Sequence, residues 1–383
     1  MQREILLVGG GHSHVQVLES LASQPLAAAG VTVVVDKPIA IYSGMAPGFV
    51  AGQYQAAELQ IDVPRLCQWA GVECVVEPVE RIDADARQMV LAGGRRLSYD
   101  LASINIGSTV AGLDLPGIRE FAIPTRPIAE LIRRTEEVVA SATARRDDSP
   151  FRVVIVGGGA GGVELAFTFL ERLQAAGCEP VETHLINAGP RILEGYPAGL
   201  ARRVQRAATR AGIQIHCQRR VQAARQHEVV MDDGEIWPCD ALLWVTGAVS
   251  HALLRDSGLP TDERGFVWTR QTLQVRDHDD LFAVGDCATL IAFPRTPKAG
   301  VYAVRQGPVL TANLRAALAG QPLADYTPQS DFLTLLNLGD GTAVGAKKGL
   351  SFHGRWVMKL KDWIDRKFME RFQIGPDPGE KVG

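Results

Sequence analysis

Two short glycine-rich segments contain the residues with the clearest chemical potential. The first reads Ile-Leu-Leu-Val-Gly-Gly-Gly over residues 5–11. Gly9 is placed to make a tight turn after a buried strand, and Gly11 to let backbone approach a pyrophosphate at the start of a helix over residues 14–22. A second apolar strand ends at Asp36, where an acid usually binds a ribose hydroxyl. This order of strand, loop, helix, strand and acid predicts a dinucleotide site.

Two histidines follow the first loop and alter its usual pattern. His14 occupies the position of the third glycine, which normally lets the helix pack closely on the strand. His12 and His14 could reach the phosphates of a bound cofactor. Alternatively, His14 is a packed residue at the start of the helix, because histidine has many structural uses.

The second segment retains all three glycines, Gly157, Gly159 and Gly162, between an apolar strand and a helix. The next strand leads to Asn187, at the position where an acid would contact ribose. Asn187 can hydrogen-bond a hydroxyl without repelling a 2′-phosphate, and Arg191 lies close enough in sequence to bind one. The pattern therefore predicts a nicotinamide dinucleotide site and leaves NADH and NADPH both open.

If the dinucleotide at the first loop is a flavin, a nicotinamide site beside it implies hydride transfer from one cofactor to the other, with the protein aligning them. Glu164 lies on the first turns of the helix after the second loop. It is a candidate catalytic carboxylate close to the nicotinamide or the flavin. The alternative is a structural partner for a backbone N–H or a basic residue near the helix start.

With both loops in view, residues 1–320 resemble the two-dinucleotide-binding-domain flavoproteins, the pyridine nucleotide-disulfide oxidoreductase superfamily. Three further motifs resemble segments of that superfamily: Asn105-Ile106-Gly107-Ser108, Trp244-Val245-Thr246-Gly247, and residues 281–288 with Gly285 and Asp286. The resemblance implies FAD at the first loop and NADH or NADPH at the second. It also implies cofactor contacts at Gly107, Gly247 and Gly285, and binding of the ribitol or phosphate part of FAD by Asp286.

Within the superfamily, the chain most resembles type II NADH dehydrogenases and sulfide:quinone reductases. Residues 9–15 and 42–48 also resemble the flavoprotein region fused to selenide, water dikinase in some organisms. No kinase-like segment is present in the sequence. That similarity therefore implies family placement and no selenium activity.

The positions of the cysteines restrict the electron acceptor. Residues 37–66 contain no cysteine, so the Cys-x4-Cys pair of the disulfide reductases is missing. No cysteine lies between Cys74 and Cys178 or after Cys287, which makes sulfide oxidation the less favoured chemistry. Cys287 itself is explained as a small buried residue. The remaining acceptors are a quinone, oxygen or a soluble one-electron carrier.

A quinone is the favoured acceptor, although the quinone motif of type II NADH dehydrogenases is not reproduced. The equivalent residues 300–307 offer polar contacts from Tyr302, Arg305 and Gln306. Lys298 is a candidate to stabilise an anionic reduced flavin. Its alternative role is a salt bridge at a helix start.

Composition and charge exclude several function classes. The chain has 383 residues, 46 % hydrophobic and 22 % charged, which is ordinary for globular domains, and its net charge of -3 gives no support for nucleic-acid binding. Six cysteines without a CxxC pair predict no metal site and a reduced, cytoplasmic setting. No signal peptide or membrane-spanning run is visible. Any membrane contact is therefore expected to be peripheral.

The segment over residues 351–373 has helical periodicity. Its apolar stripe comprises Trp356, Val357, Leu360, Trp363, Ile364, Phe368 and Phe372. From residue 354 to 372, six basic residues stand against three acidic ones. Such a helix could lie in the cytoplasmic face of a membrane, as in the dehydrogenases that the chain resembles. The stripe could equally dock on the protein's own sheet or form the seam of a homodimer.

The predicted fold is α/β, with two doubly wound Rossmann-like domains and a small C-terminal domain. The FAD-binding domain is expected over residues 1–120 and 245–328, the NAD(P)H-binding domain over 121–244, and the C-terminal domain over 329–383. The main hypothesis is transfer of hydride from NAD(P)H to FAD and of electrons to a quinone or another small acceptor. The second is a flavin-binding redox partner or sensor with slow turnover, which the departures at His14 and Asn187 keep open.

Overall fold

Two five-stranded parallel sheets are the largest elements of the computed structural model, which describes residues 3–26, 29–146 and 148–374. The amino-terminal strands are β1 (Arg3–Val8), β2 (Ala29–Val35), β3 (Ile39–Ile41), β4 (Gln60–Asp62), β5 (Glu73–Val76), β6 (Val79–Asp83), β7 (Gln88–Leu91), β8 (Arg96–Ser98), β9 (Leu101–Ile104) and β10 (Thr109–Val110). The helices between them are α1 (His12–Ser23), α2 (Ala46–Val50) and α3 (Val63–Ala70).

The next segment contains the second large sheet. Its strands are β11 (Ala122–Pro124), β12 (Phe151–Val156), β13 (Val181–Asn187), β14 (Gln214–Cys217), β15 (Val221–Arg225), β16 (Glu228–Met231), β17 (Ile236–Pro238) and β18 (Ala241–Trp244). Its helices are α4 (Ile118–Phe121), α5 (Ile128–Ala144), α6 (Ala160–Ala175) and α7 (Ala198–Ala211).

The chain then returns to the first sheet and ends in a smaller sheet. The returning strands are β19 (Ala248–Val249), β20 (Val267–Thr269), β21 (Leu281–Ala283) and β22 (Ala288–Leu290), with helices α8 (Ala252–Asp256) and α9 (Gly300–Leu318). The last elements are β23 (Thr334–Asn337), β24 (Ala343–Lys347), β25 (Leu350–Gly354) and helix α10 (Arg355–Met369). Residues 375–383 of the expected C-terminal domain lie outside the described part of the chain.

The two large sheets have the same construction. The first has strand order β21-β9-β1-β2-β5 and the second β11-β18-β12-β13-β14, with parallel pairing throughout. The central strands β1 and β12 each end in four buried apolar residues, 5–8 and 153–156, as parallel strands covered on both faces must. A glycine loop follows each of them, at the carboxyl edge where ligands bind in such sheets. The predicted doubly wound α/β fold is confirmed.

The chain crosses twice between the two sheets, and the crossings lie side by side. β10 on the outward crossing pairs antiparallel with β19 on the return, joining Thr109 to Val249. The second sheet begins at Ala122 and its last strand ends at Trp244. The two nucleotide loops are therefore held on one continuous framework.

The small sheet β23-β24-β25 is antiparallel, and α10 packs on one of its faces. Ala343 of this sheet forms a buried cluster with Val357 and Met358 of the helix. Of the predicted stripe, Val357, Phe368 and Phe372 are buried. Trp356 and Trp363 are instead 56 % and 58 % exposed, so the expectation of one apolar stripe is wrong. The inward face also carries two charged residues, Lys361 and Asp365.

Candidate functional site

The first glycine loop is supported by Asn105, at the end of β9. Gly9 has a φ of 97°, and a side chain there would collide with the Asn105 carbonyl group. The Asn105 side-chain oxygen accepts hydrogen bonds from the N–H groups of Ser13 (3.0 Å) and His14 (3.3 Å). Its amide nitrogen donates to the Val284 carbonyl at 2.9 Å. Asn105 therefore caps α1 and links the loop to the late flavin motif, a role that its position in an altered motif did not reveal.

His14 is fully buried between β1 and β9. Its Nδ1 lies 2.7 Å from the Gly9 carbonyl oxygen and its Nε2 lies 2.8 Å from the Ser103 hydroxyl oxygen. Burial lowers the pKa of His14 to about 4, so the ring is neutral. Nδ1–H then donates to Gly9, and Nε2 accepts from Ser103. Of the two alternatives for His14, this geometry supports the packed helix-start residue, since both ring nitrogens face protein rather than a cofactor.

His12 lies on the other side of the loop, where the flavin domain meets α10. Its ring centroid is 5.3 Å from that of Tyr42 and 6.2 Å from that of Phe368, and its Nε2 is 3.4 Å from the Ser43 hydroxyl oxygen. Burial lowers the pKa of His12, and the negative charge of Asp286 opposes that effect. Of the two histidines, His12 is therefore the one close enough to interact with Asp286, a predicted FAD-binding residue.

Asp36 lies where the sequence placed it, exposed and directly after β2. His251, the residue before α8, lies close enough to interact with the charge of Asp36, and its ring is hydrogen-bonded to the Ile106 backbone. Burial lowers the pKa of His251, whereas Asp36 raises it. His251 is 145 residues or more from the groups it meets, so no local sequence signal identified it.

Asp286 lies in a short 3-10 turn and pairs with Arg126. The Arg126 guanidinium nitrogen is 2.8 Å from an Asp286 carboxylate oxygen, and the Ser108 hydroxyl is 3.4 Å from the same oxygen. Arg126 follows β11, the first strand of the second sheet, so the ion pair ties the flavin motif to the part of the chain that builds that sheet. The N–H of Gly285 donates to the Gln306 side chain at 2.6 Å. Gln306 therefore supports the backbone of this motif, although the sequence analysis suggested that it contacts the electron acceptor.

Lys298 precedes α9 and points to β22. Its ammonium group donates to the Ala288 carbonyl and, at 2.9 Å, to the Thr289 hydroxyl, and it lies 4.0 Å from the centroid of the Phe266 ring. Burial lowers the pKa of Lys298 to about 8. All three partners are neutral, so these contacts are not the salt bridge at a helix start that was the alternative role for Lys298.

The second glycine loop repeats the geometry of the first. Gly157 has a φ of 129°, and a side chain there would collide with the Val245 carbonyl, the counterpart of Asn105. A side chain at Gly162 would collide with the Gly157 carbonyl, which explains the third glycine. Around Gly159, an added Cβ would meet no atom within 4 Å. This open approach is the room that a pyrophosphate needs.

Asn187, the last residue of β13, closes the second site. Its amide nitrogen donates to the carbonyl oxygens of Gly189 (3.0 Å) and Arg191 (2.9 Å). Its side-chain oxygen consequently faces the glycine loop, and a Cβ added at Gly158 would lie 2.6 Å from it. A neutral acceptor is therefore presented at the ribose position.

Glu164 is buried on α6, where all three parts of the molecule meet. It accepts a hydrogen bond from the Asn337 N–H at 2.9 Å. Burial raises the pKa of Glu164 to about 7, while the charge of Lys361 and the bond from Asn337 act in the opposite direction. Both predicted roles have support, since the carboxyl group is a backbone partner and is also poised to hold a proton near neutral pH.

Lys361 and Asp365 complete a polar cluster around Glu164. Lys361 donates to Asp365 and to the Gly44 carbonyl, each at 2.8 Å, and the Tyr42 hydroxyl donates to Asp365 at 3.1 Å. Both charged residues lie one turn apart on the inner face of α10. Sequence reasoning missed them because their positions in an amphipathic helix suggested solvent exposure.

The residues of the first site fit FAD. Asp36 offers the ribose acceptor, the loop at Gly9–Gly11 places backbone near a pyrophosphate, and Asp286 offers a carboxylate to the ribitol chain. An added Cβ at Gly107 meets nothing within 4 Å, and the same is true at Gly247. Among the described residues, no group of three or more metal-ligating side chains is present.

The fold and the paired glycine loops define an α/β protein with two dinucleotide sites. The chain belongs to the pyridine nucleotide-disulphide oxidoreductase family, whose match extends over residues 3–307. This membership confirms the predicted superfamily and, with it, FAD and a pyridine nucleotide as the cofactors of an oxidoreductase.

Curated relatives include quinone reductases. The chain is 27 % identical over 316 residues to demethylphylloquinone reductase NdbB of Synechocystis sp., covering 80 % of this chain and 76 % of the relative. It is 22 % identical over 392 residues to the type II NADH:quinone oxidoreductase of Staphylococcus saprophyticus, covering 98 % and 96 %.

Among solved structures, the sulfide:quinone oxidoreductase of Aquifex aeolicus superposes with a TM-score of 0.82. The two share 16 % identity, and the match covers 97 % of this chain and 91 % of that one. This likeness confirms the fold and carries no information on sulfide chemistry.

Proposed function

We propose that this chain is an NAD(P)H:quinone oxidoreductase that uses FAD and no redox-active disulfide. The observation that carries the proposal is the buried carboxyl group of Glu164, whose pKa of about 7 lets it hold a proton at neutral pH. Reduction of a quinone to a quinol consumes protons as well as electrons, so its site needs a proton donor. The two curated relatives are quinone reductases, which supports the same function.

The chemistry of Cys287 argues against a thiol relay at the flavin. Its sulfur is fully buried and donates to the carbonyl oxygens of Val284 (3.1 Å) and Ile104 (3.4 Å). Burial raises the pKa of this thiol to about 11, and a protonated thiol is a poor nucleophile. All six cysteines are free.

In this proposal the FAD-binding domain comprises residues 1–120 and 245–328, and the NAD(P)H-binding domain comprises residues 121–244. Bound FAD would take up hydride from the nicotinamide and deliver two electrons to the acceptor. Asp36 accepts a ribose hydroxyl, and the α1 backbone orients the pyrophosphate. Lys298 supplies positive charge to the flavin site, and Glu164 delivers a proton from its carboxyl oxygen.

A panel of acceptors tests the proposal. Purified FAD-loaded protein is given NADH or NADPH with short-chain ubiquinone, menadione, oxygen or ferricyanide, and turnover is compared with the rate of flavin reduction. Quinone turnover that matches flavin reduction supports the proposal. Turnover far slower than flavin reduction with every quinone contradicts it and supports the slow redox partner. Quinone reduction driven by sulfide would reinstate the sulfide:quinone reductase reading.

We further propose that α10 contacts the cytoplasmic face of a membrane. The exposed face of the helix carries two tryptophans and two lysines at spacings of three or four residues: Trp356, Lys359, Trp363 and Lys367. The Lys367 ammonium lies 4.9 Å from the centroid of the Trp363 ring. Tryptophan beside lysine is suited to a bilayer interface with anionic headgroups. No described helix has the length and apolar character to cross a bilayer.

Co-sedimentation with phosphatidylglycerol vesicles tests the membrane contact. The double variant Trp356→Ser/Trp363→Ser should lose most of its vesicle binding, whereas Trp69→Ser, at a 46 % exposed site elsewhere, should retain it. Equal pelleting of both variants contradicts the proposal. If the double variant instead turns a dimer into a monomer in gel filtration, the same face is the seam of a homodimer.

A further inference from the structure

The loop after β13 determines which residue can stand at the ribose position. Asn187 donates both amide hydrogens, one to the Gly189 carbonyl and one to the Arg191 carbonyl. The same loop is fixed by backbone bonds from Leu193 to the Gly158 carbonyl (2.7 Å) and from Gln218 to the Gly189 carbonyl (3.0 Å). The amide orientation is therefore set by the loop and does not depend on a bound nucleotide.

This arrangement excludes a carboxylate at the ribose position. An aspartate at residue 187 would place its oxygens against two carbonyl oxygens, which can only accept hydrogen bonds. The loop needs a donor there, and asparagine supplies one while turning its oxygen towards Gly158. The ribose pocket thus keeps an acceptor for a hydroxyl but lacks the negative charge that rejects a 2′-phosphate.

Charged groups beside this pocket have both signs. Arg191 is exposed on the same loop, and its backbone carbonyl accepts a hydrogen bond from the Asn187 side-chain amide. Glu194 is also exposed, and its carboxylate lies 2.8 Å from where a Cβ on Gly189 would be. Arg219, whose N–H donates to the Asn187 carbonyl at 3.2 Å, is already paired with Asp233 and Glu235. Arg191 is therefore the cation available to a phosphate on this loop, and Glu194 is the group that could oppose it.

We infer that the second site accepts NADPH as well as NADH, with Asn187 and Arg191 as the residues that set this specificity. The inference rests on the proposed function, because it names the hydride donor of the same site. A neutral acceptor at residue 187 serves the 2′-hydroxyl of NADH, and the Arg191 guanidinium serves the 2′-phosphate of NADPH.

Binding of NADP⁺ and NAD⁺ to FAD-loaded protein by calorimetry tests the inference without turnover. The two dissociation constants should agree within about tenfold, since residue 187 carries no charge and the Arg191 guanidinium offsets the Glu194 carboxylate on the same loop. Arg191→Gln should raise the ratio of the NADP⁺ to the NAD⁺ constant about tenfold, the usual value of one hydrogen bond to a charged group. Arg202→Gln, at an exposed arginine of α7 in the same domain, should leave the ratio unchanged.

Two further variants make the result decisive. Asn187→Asp should weaken NADP⁺ binding more than NAD⁺ binding, and Arg191→Gln still tests the inference if that variant fails to fold. Binding of NADP⁺ to the wild type at least 100-fold weaker than NAD⁺ overturns the inference, and its rescue by Glu194→Gln would identify Glu194 as the ribose acid. Anaerobic mixing with NADH separates the two proposals, because unreduced flavin contradicts the proposed function whatever the binding ratio.

Discussion

The imidazole of His14 connects two backbone segments of the flavin domain. It donates to the Gly9 carbonyl and accepts from Ser103, so it holds the glycine turn against β9 from inside the domain. Glycine at this position in related loops allows close packing of helix and strand. Here the His14 side chain packs the helix against the strand by filling the space and by hydrogen-bonding to Gly9 and Ser103.

Replacing His14 tests this structural role. His14→Ala should destabilise the protein by about 3 kcal/mol, because it leaves a cavity and unpairs two buried polar groups. His14→Gly, which restores the usual glycine, should also lower FAD retention. The measurements are the thermal midpoint and the ratio of flavin to protein absorbance after dialysis. Higher FAD retention in the glycine variant would show that the histidine is not needed for the loop.

Glu164 links the fold to pH. Its pKa is raised from 4.5 to about 7, so the native state favours the protonated form. The associated stability is fully present below about pH 4.5 and is lost as pH rises through about 7, amounting to about 3 kcal/mol over that interval. The same window governs its ability to donate a proton.

Glu164→Gln should remove this pH dependence. The thermal midpoint of the variant should fall less than that of the wild type between about pH 5 and 8. Quinone reduction should slow by about 10²-fold and lose its decline above pH 7, as expected when a proton donor is removed. Flavin reduction by NADH should be affected less. A variant with the wild-type rate and pH profile would exclude Glu164 as the donor.

Helix α10 has two faces with different purposes. The inner face carries Val357 and Phe368 together with the Lys361–Asp365 pair, and the outer face carries Trp356 and Trp363. A buried ion pair is costly unless its geometry is good, and here each partner has a further hydrogen bond. The helix therefore completes the polar cluster at Glu164 while it presents an aromatic and basic surface outside.

A matched pair of substitutions separates the two faces. Val357→Ala should lower the thermal midpoint by about 4 °C, from the loss of about 2 kcal/mol of packing. Trp363→Ser should shift it by less than about 1 °C, because exposed positions contribute little to stability. Equal shifts would mean that the aromatic face is also packed in solution.

The strands and helices around both glycine loops could be predicted, because glycine, apolar runs and the acid after β2 are local signals. The existence of α10 was equally clear from its period. Which side of α10 faces the sheet was not, since Trp356 and Val357 are both apolar and only tertiary packing separates them. For the same reason, the sequence could not place Lys361 and Asp365 inside.

At the scale of the whole molecule, the site is assembled from residues far apart in the chain. Asp286 was predicted from its motif, but its partner Arg126 comes from the turn after β11 of the second sheet, and Asn337 reaches Glu164 from the C-terminal sheet. Such contacts depend on the relative placement of the sheets, and no sequence period encodes that placement. The motifs therefore identified these residues one at a time, whereas their hydrogen-bond and ion-pair partners could be identified only from the tertiary structure.

The Arg126–Asp286 pair joins the turn after β11 to the predicted FAD site, and it should affect FAD binding. Arg126→Gln would leave the Asp286 carboxylate uncompensated beside the negatively charged cofactor. FAD affinity should fall about tenfold, in the range for loss of one charged hydrogen bond. FAD remaining after stepwise dialysis measures this, with Arg202→Gln as the control. Unchanged FAD content would limit the pair to a structural role.

The most direct test of hydride transfer through two nucleotide sites to a quinone is an anaerobic two-step mixing experiment followed at the flavin absorbance band. NADH or NADPH should bleach the band in a single turnover, and a short-chain quinone added next should restore it with formation of quinol. A band that neither nucleotide bleaches, or a bleached band that no quinone restores, would contradict the account.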